Sequence, residues 1–137
     1  MLRIIIDTNT LLSGLFFRGN ERKIVECFLL GKIDFILPEH VAIESRAVIA
    51  RKGKKLGDVE SALQILDLIF SRATILTIKE YAGNIEAAKK RIRDEKDAPI
   101  LAAILSAKHD YFVTGDKDFS AAGIGTQITA RELLAMI

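Results

Sequence analysis

Arg3-Ile4-Ile5-Ile6-Asp7-Thr8-Asn9 is the stretch on which the fold turns. Its isoleucines run without a polar alternation, as in a short strand buried on both faces of a sheet. The run stops at a carboxylate followed by two small polar residues, the composition of a tight turn leaving a strand.

Outward from this stretch, the same grammar repeats. Asn20 is placed to cap a helix with Ile24, Val25, Phe28 and Leu29 on one face and Gly31 as its stop. Asp34 to Leu37 is a second strand, and Pro38 suits the first turn of a helix running to about Lys52, with Gly53 ending it. Asp58 caps a periodic helix carrying Val59, Ala62, Leu63, Leu66, Ile69 and Phe70.

Thr74 to Ile78 is rich in β-branched residues and predicts a third strand, followed by a more polar helix from about Ala82 to Arg93. Asp97 caps the apolar helix Ile100 to Ala107, with Pro99 in its first turn. Tyr111 to Thr114 is a fourth strand and Gln127-Ile128 a short fifth. The spacing Thr129-Ala130-Arg131-Glu132 is that of a capping box opening a last helix.

Strands alternating with helices predict an α/β fold of three layers, α/β/α, with a mainly parallel sheet of four or five strands. Residues 1–137 are of a length to form one domain around one core. Right-handed crossovers would gather the loops that follow the strands along one edge, where such sheets bind ligands. Asp7 and Asp116 each follow a strand directly, so both belong to that edge.

Composition narrows the class. An apolar fraction of 50% with 28% charged residues is that of an ordinary globular protein, and no apolar run is long enough to span a bilayer. Asp7 cuts the N-terminal apolar run too short for a signal peptide. The single cysteine, Cys27, forms no internal disulfide, and a cytoplasmic location is the expectation. A net charge of +2 does not argue for nucleic-acid binding. Its distribution says more: Arg46, Arg51, Lys52, Lys54 and Lys55 form one basic stretch, and Lys89, Lys90, Arg91, Arg93 and Lys96 another.

Four carboxylates stand where the predicted sheet would collect them: Asp7, Glu44, Asp97 and Asp116. Taken singly, each has a plain structural role as turn residue, solvated helix residue or N-cap. Glu44 comes three residues after Val41 and four before Val48, on the border of a buried helix face. Asp118 adds a second carboxylate just past the fourth strand, where like charges repel unless a cation is present. A site made of carboxylates suits hard divalent cations, Mg²⁺ or Mn²⁺, and the hydrolysis of phosphodiesters.

Three segments carry a family resemblance. Ile4-Ile5-Ile6-Asp7-Thr8-Asn9-Thr10-Leu11-Leu12-Ser13 resembles the opening of PIN-domain ribonucleases. Asp94-Glu95-Lys96-Asp97-Ala98-Pro99-Ile100-Leu101-Ala102-Ala103 resembles their third acidic motif, and Tyr111-Phe112-Val113-Thr114-Gly115-Asp116-Lys117-Asp118-Phe119 their fourth. Order, spacing and total length agree, and the chain is most similar to the compact prokaryotic branch of VapC-like toxin components. The resemblance implies a catalytic quartet of Asp7, Glu44, Asp97 and Asp116. It also implies metal ligation by Asp7, Asp97, Asp116 and Asp118, with support from Asn9 and Thr114 by hydrogen bonds. Glu39 rivals Glu44, because the helix begins Leu37-Pro38-Glu39-His40 where the family often has Ser or Thr.

The activity implied by the resemblance is that of a Mg²⁺- or Mn²⁺-dependent ribonuclease acting on single-stranded RNA. A cognate antitoxin and a homodimer are the implied protein partners. Rival readings are weaker: His40 and His109 lack the company a metal-free ribonuclease needs. An Asp-nucleophile phosphatase would want a second Asp where Asn9 stands, and a phosphate-accepting signalling domain more acid beside Asp7. A binding or scaffold protein on the same fold remains the alternative without turnover.

Overall fold

The computed structural model describes residues 1–137 as a five-stranded, wholly parallel sheet in the order β3-β2-β1-β4-β5, flanked by eight helices. The strands are β1 (Arg3–Ile6), β2 (Asp34–Pro38), β3 (Thr74–Leu76), β4 (Tyr111–Val113) and β5 (Gln127–Ile128). The longer helices are α1 (Thr8–Phe16), α2 (Asn20–Leu29), α3 (Glu39–Leu56), α4 (Val59–Arg72) and α7 (Ala98–Ser106). The shorter ones are α5 (Ile78–Tyr81), α6 (Ile85–Lys89) and α8 (Ala130–Met136). This is the three-layer α/β/α arrangement the alternation predicts. No helix is long and apolar enough to cross a membrane.

The central strands are the most apolar for a topological reason. β1 pairs with β2 on one side and β4 on the other, and Ile4, Ile5, Ile6, Phe35, Ile36, Phe112 and Val113 are all essentially inaccessible. Phe28 of α2 stacks on Phe35 of β2 at 4.3 Å between ring centroids, fixing that helix to the sheet. α1 packs on α2, α3 and α4, while α7 packs on α5 and α6.

Several boundaries differ from the sequence reading. Asn20 does not cap α2: it is the first helical residue, after Gly19. Pro38 ends β2 and precedes α3 instead of lying in its first turn, and Gly53 sits buried inside α3, which continues to Leu56. The helix tolerates that glycine because a Cβ there would approach Val59 Cγ2 at 3.0 Å, so Gly53 lets the start of α4 come close. β3 stops at Leu76, because Thr77 and Glu80 form a capping box that starts α5. The single helix expected from Ala82 to Arg93 is broken into a 3₁₀ turn at Ala82–Asn84 and the short α6.

The strand order reverses between β1 and β4. β2 and β3 lie on one side of that pair and β5 on the other, so the connections diverge and leave a crevice at the strands' carboxyl ends.

Candidate metal centre at the sheet edge

Register brings the first two residues of the site together. Ile6 is level with Val113, so Asp7 and Thr114 leave the sheet side by side. The Thr114 hydroxyl donates to Asp7 Oδ2 at 2.6 Å, and the amide of Thr10 donates to Asp7 Oδ1 at 2.9 Å. Asp7 is only 4% exposed, and a buried carboxylate is tolerable when such donors meet it. One side chain thus caps α1 and faces the crevice.

The hydrogen bonding continues along the strand exit. The amide of Asp116 donates to Thr114 Oγ1 at 3.0 Å, and the amide of Asp118 to Asp116 Oδ1 at 2.9 Å. Phe119, next in the chain, meets Phe112 of β4 edge-on at 5.0 Å, and this apolar anchor pins the turn carrying both carboxylates. Asp97 arrives from the other direction, at the start of α7. Asp94 caps the preceding 3₁₀ turn by accepting from the Lys96 amide, whereas the Asp97 carboxylate makes no capping bond. The N-cap role expected for Asp97 is therefore one of position only, and its oxygens stay uncommitted.

Carboxylate oxygens of Asp97, Asp116 and Asp118 lie within 4.8 Å of one another, all half-buried. Burial first, then the negative charges of Asp116, Asp94, Asp118 and Asp7, push the Asp97 carboxyl up from 3.8 to about 6. Burial and the neighbouring carboxylates disfavour the charged form of this group, and a hard divalent cation held among them would offset both. The donor set therefore fits Mg²⁺ or Mn²⁺.

The remaining expected residues are placed less centrally. Asn9 is exposed on the rim of the same crevice, with Asp7, Ser13 and Asp116, and makes no side-chain hydrogen bond there; Thr10 and Thr114 hold Asp7 instead. Glu44 projects from α3 and lies 3.6 Å from His40 one turn earlier. Glu39 accepts from the Ile78 amide at 3.0 Å and so is occupied in fixing the start of α5. That leaves Glu44 the freer of the two. Glu21, half-buried at the start of α2, lines the crevice as well, and sequence reasoning missed it. Its signal was hidden because the segment after Asp7 was not recognised as a helix whose far end turns back to the same edge.

The largest concavity, of about 570 Å³, lies elsewhere, along the α3–α4 hairpin. Its lining joins Ile49, Val59 and Leu63 to Arg51, Lys52, Lys54 and Lys55, with no carboxylate. Nothing in it generates a nucleophile, so volume and chemistry are separated in this molecule. Arg46 at its margin is bound to Asp67 at 2.6 Å and sits over the Phe70 ring.

Comparison with known proteins agrees with this architecture. Two solved structures superpose over 93% of this chain and 97% of theirs. One is VapBC2 from Rickettsia felis bound to a DNA fragment from its promoter, at 18% identity and a TM-score of 0.64. The other is a toxin–antitoxin complex from Klebsiella pneumoniae, at 20% identity and a TM-score of 0.68. At that identity the likeness is one of fold. No curated protein sequence matches the chain. The PIN domain family model matches residues 3–118, from the first residue of β1 to the second carboxylate beyond β4. With the parallel sheet, the reversal at β1 and β4 and the acids grouped beside it, this match establishes that the chain belongs to the PIN-domain family.

Proposed function

We propose that the protein is a divalent-metal-dependent endoribonuclease that hydrolyses single-stranded RNA, and that it is the toxin of a toxin–antitoxin pair. The observation that carries the reading is the convergence of Asp97, Asp116 and Asp118 within 4.8 Å, beside a hydrogen-bonded Asp7 at the reversal of strand order. Asp97, Asp116 and Asp118 would hold Mg²⁺ or Mn²⁺, with Asp7 completing the acidic surround. When bound, the ion supplies activation of water and neutralisation of charge on the phosphodiester.

The chain's own residues do the rest. Asp7 and Asp116 are oriented by Thr114, whose hydroxyl donates to one and accepts from the amide of the other. Glu44, not drawn into the capping that occupies Glu39, is the proposed fourth acid, which would orient the attacking water or hold a second ion. Direct attack by water leaves a 5′-phosphate and a 3′-hydroxyl. Arg51 and Lys96, both exposed, are offered to the RNA backbone, while Arg46 is committed to Asp67.

The toxin role draws on the fold likeness to toxin–antitoxin complexes, and a cognate antitoxin and a homodimer belong to the same reading. The test is incubation with short single-stranded RNA in Mn²⁺ or in EDTA. Cleavage should require the metal and vanish in Asp7→Asn and Asp116→Asn. Cleavage that persists in EDTA would sink the metal mechanism. Absence of both cleavage and calorimetric metal binding would instead favour a scaffold protein on this fold. Co-expression with the product of a neighbouring small gene tests the antitoxin, and sedimentation tests the dimer.

A further inference from the structure

Beside the acidic crevice lies a second, smaller cavity of about 140 Å³. The two share Thr10, Glu21 and Gly115, so whatever occupies one is a neighbour of whatever occupies the other. Val113, Thr114 and Gly115 form part of its floor. Asn20 and Glu21 of α2 line it, as do Thr129, Ala130 and Arg131 at the start of α8. Gly115 leaves the floor open: a Cβ there would meet nothing within 4 Å.

Both helix starts are held rigidly. The Arg22 guanidinium donates to the carbonyls of Gly14 and Leu15, tying the first turn of α2 to the last turn of α1. Gly14 makes this approach possible, since a Cβ would fall 2.7 Å from Val25 Cγ2 and 3.1 Å from the Glu21 carbonyl oxygen. On the other side, Thr129 and Glu132 close a capping box through reciprocal bonds of 3.1 and 3.0 Å, which fixes the backbone bearing Arg131. α2 and α8 also pack on each other.

The charged groups facing this cavity are unspent. The molecule's ion pairs are His40–Glu44, Arg46–Asp67 and Lys89–Glu86, so neither Glu21 nor Arg131 is neutralised by a partner. Glu21, half-buried, and Arg131, exposed, both line this small cavity and are not joined to each other, and a carboxylate and a guanidinium so offered are complementary to a planar ligand with paired donors on one edge and paired acceptors on another. Among the nucleobases, guanine has that pattern. Its N1–H and N2–H suit a carboxylate, and its O6 and N7 suit a guanidinium fork. Adenine would turn the lone pair of N1 toward the carboxylate, and the pyrimidines lack the second pair.

We propose that this cavity is a guanine-binding subsite that selects the base next to the cleaved phosphodiester. Glu21 reads the Watson–Crick edge, Arg131 the O6/N7 edge, and Asn20 adds a further polar contact. The placement beside the scissile bond rests on the ribonuclease reading; the base preference itself does not.

The deciding experiment is an NMR titration of the whole protein in EDTA with GMP, IMP, AMP, CMP and UMP. GMP should bind roughly tenfold more tightly than AMP, CMP or UMP, the discrimination one bidentate base contact supplies. IMP, lacking the N2 amino group, should fall between. The shifted amides should be those of Asn20, Glu21 and Thr129 to Arg131. Glu21→Gln and Arg131→Met, each checked for a native spectrum, should bring GMP down to the level of AMP. Equal binding of all five nucleotides, shifts centred elsewhere, or no binding at millimolar concentration would overturn the proposal. Guanine binding without cleavage of any RNA would refute the ribonuclease reading alone. Metal-dependent cleavage blind to guanine would refute this subsite alone.

Discussion

The crevice at the end of β1 and β4 and the groove along the α3–α4 hairpin are opposites. The crevice is lined by no apolar side chain and draws on residues far apart in sequence, from Asp7 to Asp116. The hairpin groove is built from one contiguous stretch, Arg46 to Lys55, with Val59 and Leu63 closing it. It has about twice the volume, 570 against 280 Å³, and none of the carboxylates. A groove made by neighbouring residues on a helical hairpin comes from local amphipathicity. A cluster of like charges assembled from distant strands does not arise for stability's sake, because it works against folding.

The sharpest way to break this contrast is to neutralise charge in each region. Asp116→Asn should lower RNA cleavage by more than about 100-fold, beyond what losing a supporting group costs. Lys52→Ala and Lys54→Ala should leave metal affinity intact and reduce the salt dependence of RNA binding by about one unit of slope for each lost phosphate contact. Equal losses in both regions would erase the distinction. One step down, Thr114→Val keeps the shape but removes the hydroxyl that joins Asp7 to the Asp116 amide. Calorimetry should show metal affinity reduced by about 10–100-fold, the usual effect of removing a group that orients ligands.

A pH experiment probes the crevice without RNA. The Asp97 carboxyl is pushed up to about 6 from 3.8, so the folded protein binds more protons than the unfolded chain between those values. In divalent-free buffer its contribution to stability therefore falls as pH rises through that window. The melting temperature of the wild type should drop relative to Asp97→Asn across the same range, and Mg²⁺ should restore it. A difference that grows in the opposite direction would contradict the burial of Asp97 and the crowding of charge around it. The smallest effects belong to the hairpin. Asp58→Ala, which removes the cap on α4, should move the urea unfolding midpoint to lower concentration. Asp67→Ala should cost less, about 0.2–1 kcal/mol, because its pair with Arg46 is exposed.

The sheet was legible in the chain because its strands are short apolar runs ending at turn residues. β1 and β5 were read with their observed limits, and the others to within a residue or two. Boundaries set by side-chain capping were read less well. Thr77 and Glu80 divert the chain into a helix where β-branched residues alone suggested a longer strand. Gly53 looked like a stop, but close approach to Val59 keeps it inside α3. Within the site, Asp7, Asp97 and Asp116 could be singled out because each sits at an element boundary. Glu21 could not, since its position depends on how α1 ends and α2 begins, which Arg22 and Gly14 control.

Alternation of strands and helices, and three motifs around Asp7, Asp97 and Asp116, determined by themselves the fold class and the family, because periodicity and turn chemistry are local properties. The tertiary structure alone decided which carboxylates are free. Strand register sets Thr114 against Asp7, Asp94 caps the 3₁₀ turn ahead of α7 while Asp97 at the start of that helix makes no capping bond, and Glu39 is spent on Ile78 while Glu44 faces only His40. How much of an acid is taken up by amides and how much is left for a cation depends on which donors lie within about 3 Å of its oxygens, and only the folded chain brings those donors into place.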